Sequence, residues 1–183
     1  MIYNYRGDPV LGPILAFWTD KRGSRSMPRK CDIDPTEIPR RILPNLQLID
    51  VIDGGARFRY RLVGTALVDA YGKDFTGAYP DELFPDDRLS FIQKIYRTVC
   101  KSKAPLFTHN KYHTPKSIDL LAIRLYLPLS DDDTDVHHIL GTLRFEHDVA
   151  LDSGLWGAGA TIDPSAQYME TVKIETPPRE SAV

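Results

Sequence analysis

At 183 residues, with 23 basic and 25 acidic side chains and a formal net charge of −2, the chain is one domain long and close to neutral. A chain of this size can bury roughly 70% of its unfolded surface, and its balanced charge argues against a general nucleic-acid or anionic-membrane surface. The N-terminal MIYNYRGDP lacks a cationic-then-apolar leader, and no apolar run approaches the roughly 18 residues of a membrane span, so the expected setting is cytoplasmic.

Leu11, Ile14, Leu15 and Trp18 recur at helical spacing, which predicts an amphipathic helix over residues 10–22 that Gly23 stops. Asp34-Pro35 joins an N-cap to a first-turn proline, and Pro39 and Pro44 keep that second helix short. Leu46 to Ile52 reads as a strand turning at Asp53-Gly54-Gly55 into a second. In that second strand Arg57, Arg59 and Arg61 alternate with Phe58, Tyr60 and Leu62, the period of two that marks a half-buried strand.

Thr65 is the expected N-cap of a short helix carrying Ala66, Leu67, Ala70 and Tyr71, which Gly72 can end in a left-handed conformation. Phe75-Thr76-Gly77 repeats the pattern as a shorter helical turn. Pro85-Asp86-Asp87 opens a longer helix, with acidic groups favourable at its start. Its stripe of Leu89, Ile92, Tyr96 and Val99, with Ile95 beside it, runs to Lys103. Further strands are expected at Pro105–Tyr112, Ile118–Leu129 and His137–Phe145, with the acidic loop Ser130–Asp135 before the last. From Asp148 onward Gly154, Gly157 and Gly159 suggest irregular structure, and residues 176–183, with their Pro-Pro, disorder.

The run from Arg57 to Arg88 resembles the core signature of the PAS superfamily of sensor domains. The residues that carry it are Tyr71-Gly72, Gly77, Glu82-Leu83-Phe84 and Pro85-Asp86-Asp87-Arg88. The flanking runs are similar to a single-domain bacterial branch of that superfamily to which no one function is assigned. They are Trp18 with Arg22-Gly23, Asp32 to Pro39, Leu43 to Asp50 and Arg57 to Thr65, so that the resemblance spans residues 11–146. It implies an α+β fold: a five-stranded antiparallel sheet with short helices and one long helix on one face, plus the N-terminal amphipathic helix. The corresponding division is a helical cap over 1–44, a core over 45–147 and a partly disordered extension over 148–183.

The resemblance also implies a cavity between the sheet and the helices, with room in the superfamily for haem, flavin or a small organic ligand. Its expected lining is Tyr71, Phe75, Leu83, Phe91 and Ile95 from the helical side, Tyr60 and Leu62 from the second strand, and Ile123, Leu125, Leu143 and Phe145 from the fourth and fifth. Each of these would serve equally as ordinary core. Arg124, interrupting an apolar strand, is a candidate to hold a carboxylate or phosphate. The N-terminal helix either covers its own sheet or pairs with a second copy, which makes Leu11, Ile14, Leu15 and Trp18 the candidate dimer interface.

Haem and flavin are disfavoured. None of the five histidines sits on the long helix where an axial ligand is wanted, and His137 and His138, adjacent on a strand, point to opposite faces. Residues 72–78 hold no cysteine for a flavin adduct, and Cys31 and Cys100 have no metal-binding spacing. Asp131-Asp132-Asp133 reads as a solvated loop tip rather than a metal site. No nucleophile elbow, phosphate loop or dinucleotide fingerprint is present, and the residues beyond the last expected strand are too few for an output domain. The expectation is therefore a stand-alone, non-catalytic sensory or adaptor module. It binds a small ligand, a signalling-protein partner or both, self-associates as a homodimer, and has no metal, nucleic-acid or membrane partner. The alternatives are a small enzyme or ligand carrier, with a polar pair such as Tyr71 with His109 or Arg124 deep in its cavity, and a purely structural domain with a filled core.

Overall fold

A computed structural model of the chain describes residues 4–113, 119–146 and 161–174. Alternating side chains build an antiparallel sheet from β1 (Leu46–Ile52), β2 (Arg57–Val63), β3 (Leu106–His113), β4 (Asp119–Leu129), β5 (His138–Glu146) and β6 (Thr161–Thr171). Their order in the sheet is β2-β1-β5-β4-β3-β6. Between β2 and β3 the chain forms α2 (Thr65–Tyr71), α3 (Pro80–Leu83) and α4 (Asp86–Ser102), while α1 (Leu11–Arg22) precedes the sheet.

The α+β reading holds, with one strand more than expected. β6 pairs along β3, where irregular structure was predicted from residue 148 onward. Its sequence, TIDPSAQYMET, contains Pro164 and few β-branched apolar residues, so it does not read as a strand. An edge strand tolerates that proline, and the register with β3 slips between Asn110 and Tyr112, across the proline-bearing stretch. The glycines 154, 157 and 159 and the segment 176–183 lie outside the described residues.

Local chemistry explains the joints. Gly72 ends α2 at φ 73°, its N–H donating to Val68 O, as the left-handed cap requires. The N-cap of α2 is Gly64 rather than Thr65: its N–H donates to Leu46 O at 2.7 Å, and a β-carbon there would run into the Pro44 carbonyl oxygen. Phe75-Thr76-Gly77 is not helical. Asp74 Oδ1 accepts from Thr76 N and Oγ1, making a side-chain-closed turn, and Gly77 N–H then donates to Tyr60 O beside β2.

The sheet has two buried faces. The inner face, under α2, α3 and α4, carries Tyr60, Asn110, Tyr112, Arg124, Tyr126 and Leu143; the outer carries Leu48, Leu62, Phe107, Ile123, Leu125 and Leu140. The N-terminal segment crosses that outer face. Tyr5 packs on Phe107 at 4.9 Å, Asp8 Oδ2 meets Arg144 Nε at 2.6 Å, and Trp18 Nε1 donates to Pro128 O at 2.8 Å. Asp8 Oδ1 also accepts from Val10 N and Leu11 N, fixing the start of α1.

Candidate functional site

The inner cavity is built where β4 turns alternate residues toward the helices. Arg124 and Tyr126 project from β4, Gln47 from β1, Tyr60 from β2 and Leu143 from β5. Tyr71, Phe75, Phe91, Ile92, Ile95 and Tyr96 close it from the helical side. The space left is about 20 Å³, enough for a water molecule and far below the roughly 300–1,000 Å³ of a preformed ligand chamber.

Aromatic rings frame this space edge to face. Tyr71 stands 5.1 Å from Phe75, Phe75 4.8 Å from Tyr60, and Tyr96 5.6 Å from Tyr126. The hydroxyls of Tyr60 and Tyr96 share a hydrogen bond of 3.0 Å. Burial raises the pKa of Tyr60, Tyr71 and Tyr96 and pushes that of Tyr126 up to about 12 even against the charge of Arg124. These phenols therefore stay neutral and offer dipoles, not counter-charge.

Arg124 is the exceptional group. It is 4% exposed, yet no carboxylate lies within ion-pair reach of it among the described residues. Its Nη2 donates to Tyr112 OH at 2.7 Å and its Nη1 to Asn110 Oδ1, which uses two of the five guanidinium donors. On the same face the buried Asn110 Nδ2 and Thr108 Oγ1 have no hydrogen-bond partner. Buried cations are normally matched by anions. Here the hydrogen-bond partners are one phenol and one amide.

Of the ten residues expected to line a ligand site, Tyr60, Tyr71, Phe75, Phe91, Ile95, Arg124 and Leu143 converge on this cavity. Three do not. Ile123 cannot share the inner face with its neighbour Arg124 and is buried on the outer one, as is Leu125. Leu62 follows a register shift between β1 and β2 and points outward, 49% exposed. Leu83, on the short α3, is partly buried against the core but away from the cavity. His109 faces outward as well, its ring stacked 5.0 Å from Tyr168 of β6, so it forms no pair with Tyr71. The expected dimer-interface residues Leu11, Ile14, Leu15 and Trp18 are 0–3% exposed, buried against the sheet of their own chain. While α1 stays docked, these side chains offer a second copy no surface.

Gln47, Tyr112 and Asn110 escaped the sequence reading. The signal was present for two of them: on β3 Asn110 and Tyr112 are spaced to share one face, though neither is apolar. Elsewhere, burial pushes the Cys100 thiol up to about 11, marking a packed rather than a reactive cysteine. The acidic loop is tied into its own backbone, Asp132 Oδ1 accepting from Thr134 N and Asp135 N, and Asp133 Oδ1 from Ser26 N. Among the described residues no helix is long and apolar enough to cross a membrane.

A polar, aromatic-walled cavity between an antiparallel sheet and the helices that connect β2 to β3 defines a sensor-type α+β domain. Residues 8–144 match the sequence model of the PAS domain, and the chain belongs to that family. Similar solved structures include VqmA bound to DPO, at 13% identity and a TM-score of 0.43, over 57% of this chain and 53% of that one. Another is the VqmA–ligand–DNA complex of Vibrio cholera, at 14% identity and a TM-score of 0.43, over 59% and 48%. The chain thus spans about half the length of those proteins. No curated protein matches it.

Proposed function

We propose that this PAS domain is a sensory module whose inner cavity takes a small carboxylate or phosphate anion at Arg124 and which signals by a shift in conformation, without catalysis. The observation that carries this reading is the buried guanidinium with no anionic partner among the described residues. An anion would supply the missing charge and use the guanidinium donors left over. The cavity must enlarge to admit it. The segment that bears Phe75 lies between Gly72 and Gly77, both at positive φ, and is the natural part to yield. Ligand binding then reweights two packings of the domain, and the downstream reader is a protein partner. The neutral phenols favour binding over acid–base chemistry, since none of them titrates near neutral pH.

The 20 Å³ volume favours a second reading, a filled core that acts only through its surface. One variant separates the two. If Arg124 awaits an anion, Arg124→Met changes apo stability by no more than about 1 kcal/mol, or raises it, because an unmatched buried charge is removed. The wild type gains thermal stability from a small carboxylate such as succinate, or from phosphate, and the variant does not. If Arg124 is instead a satisfied structural member, its loss costs about 3–5 kcal/mol and no anion moves the wild-type midpoint; that pair of results would sink the proposal.

A further inference from the structure

The outer face of the sheet is unevenly covered. The N-terminal segment lies over β3 and β4, but between the short helical turns at residues 30–45 and the edge strand β2 a groove of about 390 Å³ remains. Outward-facing Leu46, Leu48, Leu62 and Leu140 form its floor, with Ile33 and Ile38 in its wall. Leu62 is 49% exposed there, a large apolar side chain left in solvent at the mouth. This volume lies in the range of about 300–1,000 Å³ that accommodates small molecules, and the inner cavity's does not.

The lining contains one charged side chain, Lys30, for which the structure shows no ion-pair partner among the described residues. Beyond Leu48 and Leu140, the next outward-facing pair in the register is Asp50 and His138. There Arg59 and Arg61 share the single Asp50 carboxylate, at 2.7 and 3.6 Å, and the exposed Asp131 stands 4.0 Å from His138. Lys30 is thus the one cation in the wall of a leucine-floored groove, with the Asp50 cluster beyond the end of its floor.

We propose that this groove binds a free medium-chain carboxylate, its aliphatic tail along Leu46, Leu48, Leu62 and Leu140 and its carboxylate at Lys30. The site lies on the opposite side of the sheet from Arg124 and stands independently of the anion proposed there. A groove of about 390 Å³ has room for one such ligand, and the protein's near-neutral overall charge gives an anionic bilayer little purchase.

The test is calorimetric titration of the full chain with octanoate and decanoate below their micellar concentrations, alongside leucine-methyl NMR. Affinity should rise roughly fourfold with each added methylene, with shifts concentrated at the methyls of Leu48, Leu62 and Leu140. Leu62→Glu should weaken decanoate at least tenfold without altering the unfolding curve, since the side chain is half exposed. Lys30→Met should weaken it several-fold and remove the preference for decanoate over decanol. Any of four results overturns the proposal: affinity independent of chain length, binding lost in Arg124→Met but kept in Leu62→Glu, uptake by phosphatidylglycerol vesicles without binding of free decanoate, or Leu62→Glu abolishing a dimer while decanoate has no effect.

Discussion

Asp50 lies on the outer face with its side chain 9% exposed, held by Arg59 at 2.7 Å and by His138 Nδ1 at 3.0 Å, with Arg61 at 3.6 Å. Burial alone would raise its pKa, but the hydrogen bonds from Arg59 and His138, together with the Arg61 charge, outweigh it and the pKa is lowered. His138 moves down too: burial disfavours its charged form more than Asp50 favours it. A neutral His138 facing a carboxylate must carry its proton on Nδ1. Burial likewise lowers His109. The unfolded chain therefore takes up protons at these histidines near the ordinary value of 6.5 before the folded one does. Stability is full above that pH and falls as pH drops through it, and the Asp50 contribution goes later, below its ordinary 3.8. Urea unfolding should accordingly show a less stable protein at pH 5.5 than at 7.5, with a shallower slope in His138→Gln. An unchanged slope in that variant would remove His138 from the account.

At the scale of the element, α1 shows how a helix can be legible while its partner is not. The spacing of Leu11, Ile14, Leu15 and Trp18 gives its existence and its buried side, and the structure buries all four. Whether that side meets the same chain or another depends on Pro128 O and the outer leucines, which local periodicity does not reveal. Trp18→Ala should cost about 3–5 kcal/mol by the cavity it leaves, whereas Trp18→Phe loses chiefly the hydrogen bond to Pro128, about 1 kcal/mol. Denaturant unfolding of both variants checks this; equal losses would mean that packing on the outer face contributes little. β4 was legible as a strand but not as to face. In LLAIRLYLPL apolar residues occur on both faces because both are covered, so a period of two has no solvent side to lock onto. The choice of Ile123 and Leu125 as inward residues failed for that reason: the cavity selected the polar alternates Arg124 and Tyr126. β6 was illegible because its pairing to β3 substitutes for intrinsic strand propensity.

For the molecule as a whole, the consequence is that one strand joins the two sides. Arg124 reaches the inner cavity while Ile123 and Leu125 support the covered outer face, so the proposed anion would act on the same strand whose Pro128 carbonyl accepts from Trp18 of α1. Packed interiors resist continuous deformation and transmit such shifts. Spatial intermediacy by itself demonstrates no coupling, but a double-mutant cycle measures it. Trp18→Phe and Arg124→Met lie on opposite faces without direct contact, and independent sites add within about 0.3–0.5 kcal/mol. A coupling energy above that range, of about 0.5–1 kcal/mol, is expected in unfolding free energies. It should grow when the wild-type arm is measured with saturating succinate or phosphate, because the anion fixes Arg124 in one position. Strict additivity under both conditions would confine anything sensed in the cavity to the inner face, and the route outward would then run through α4 rather than α1.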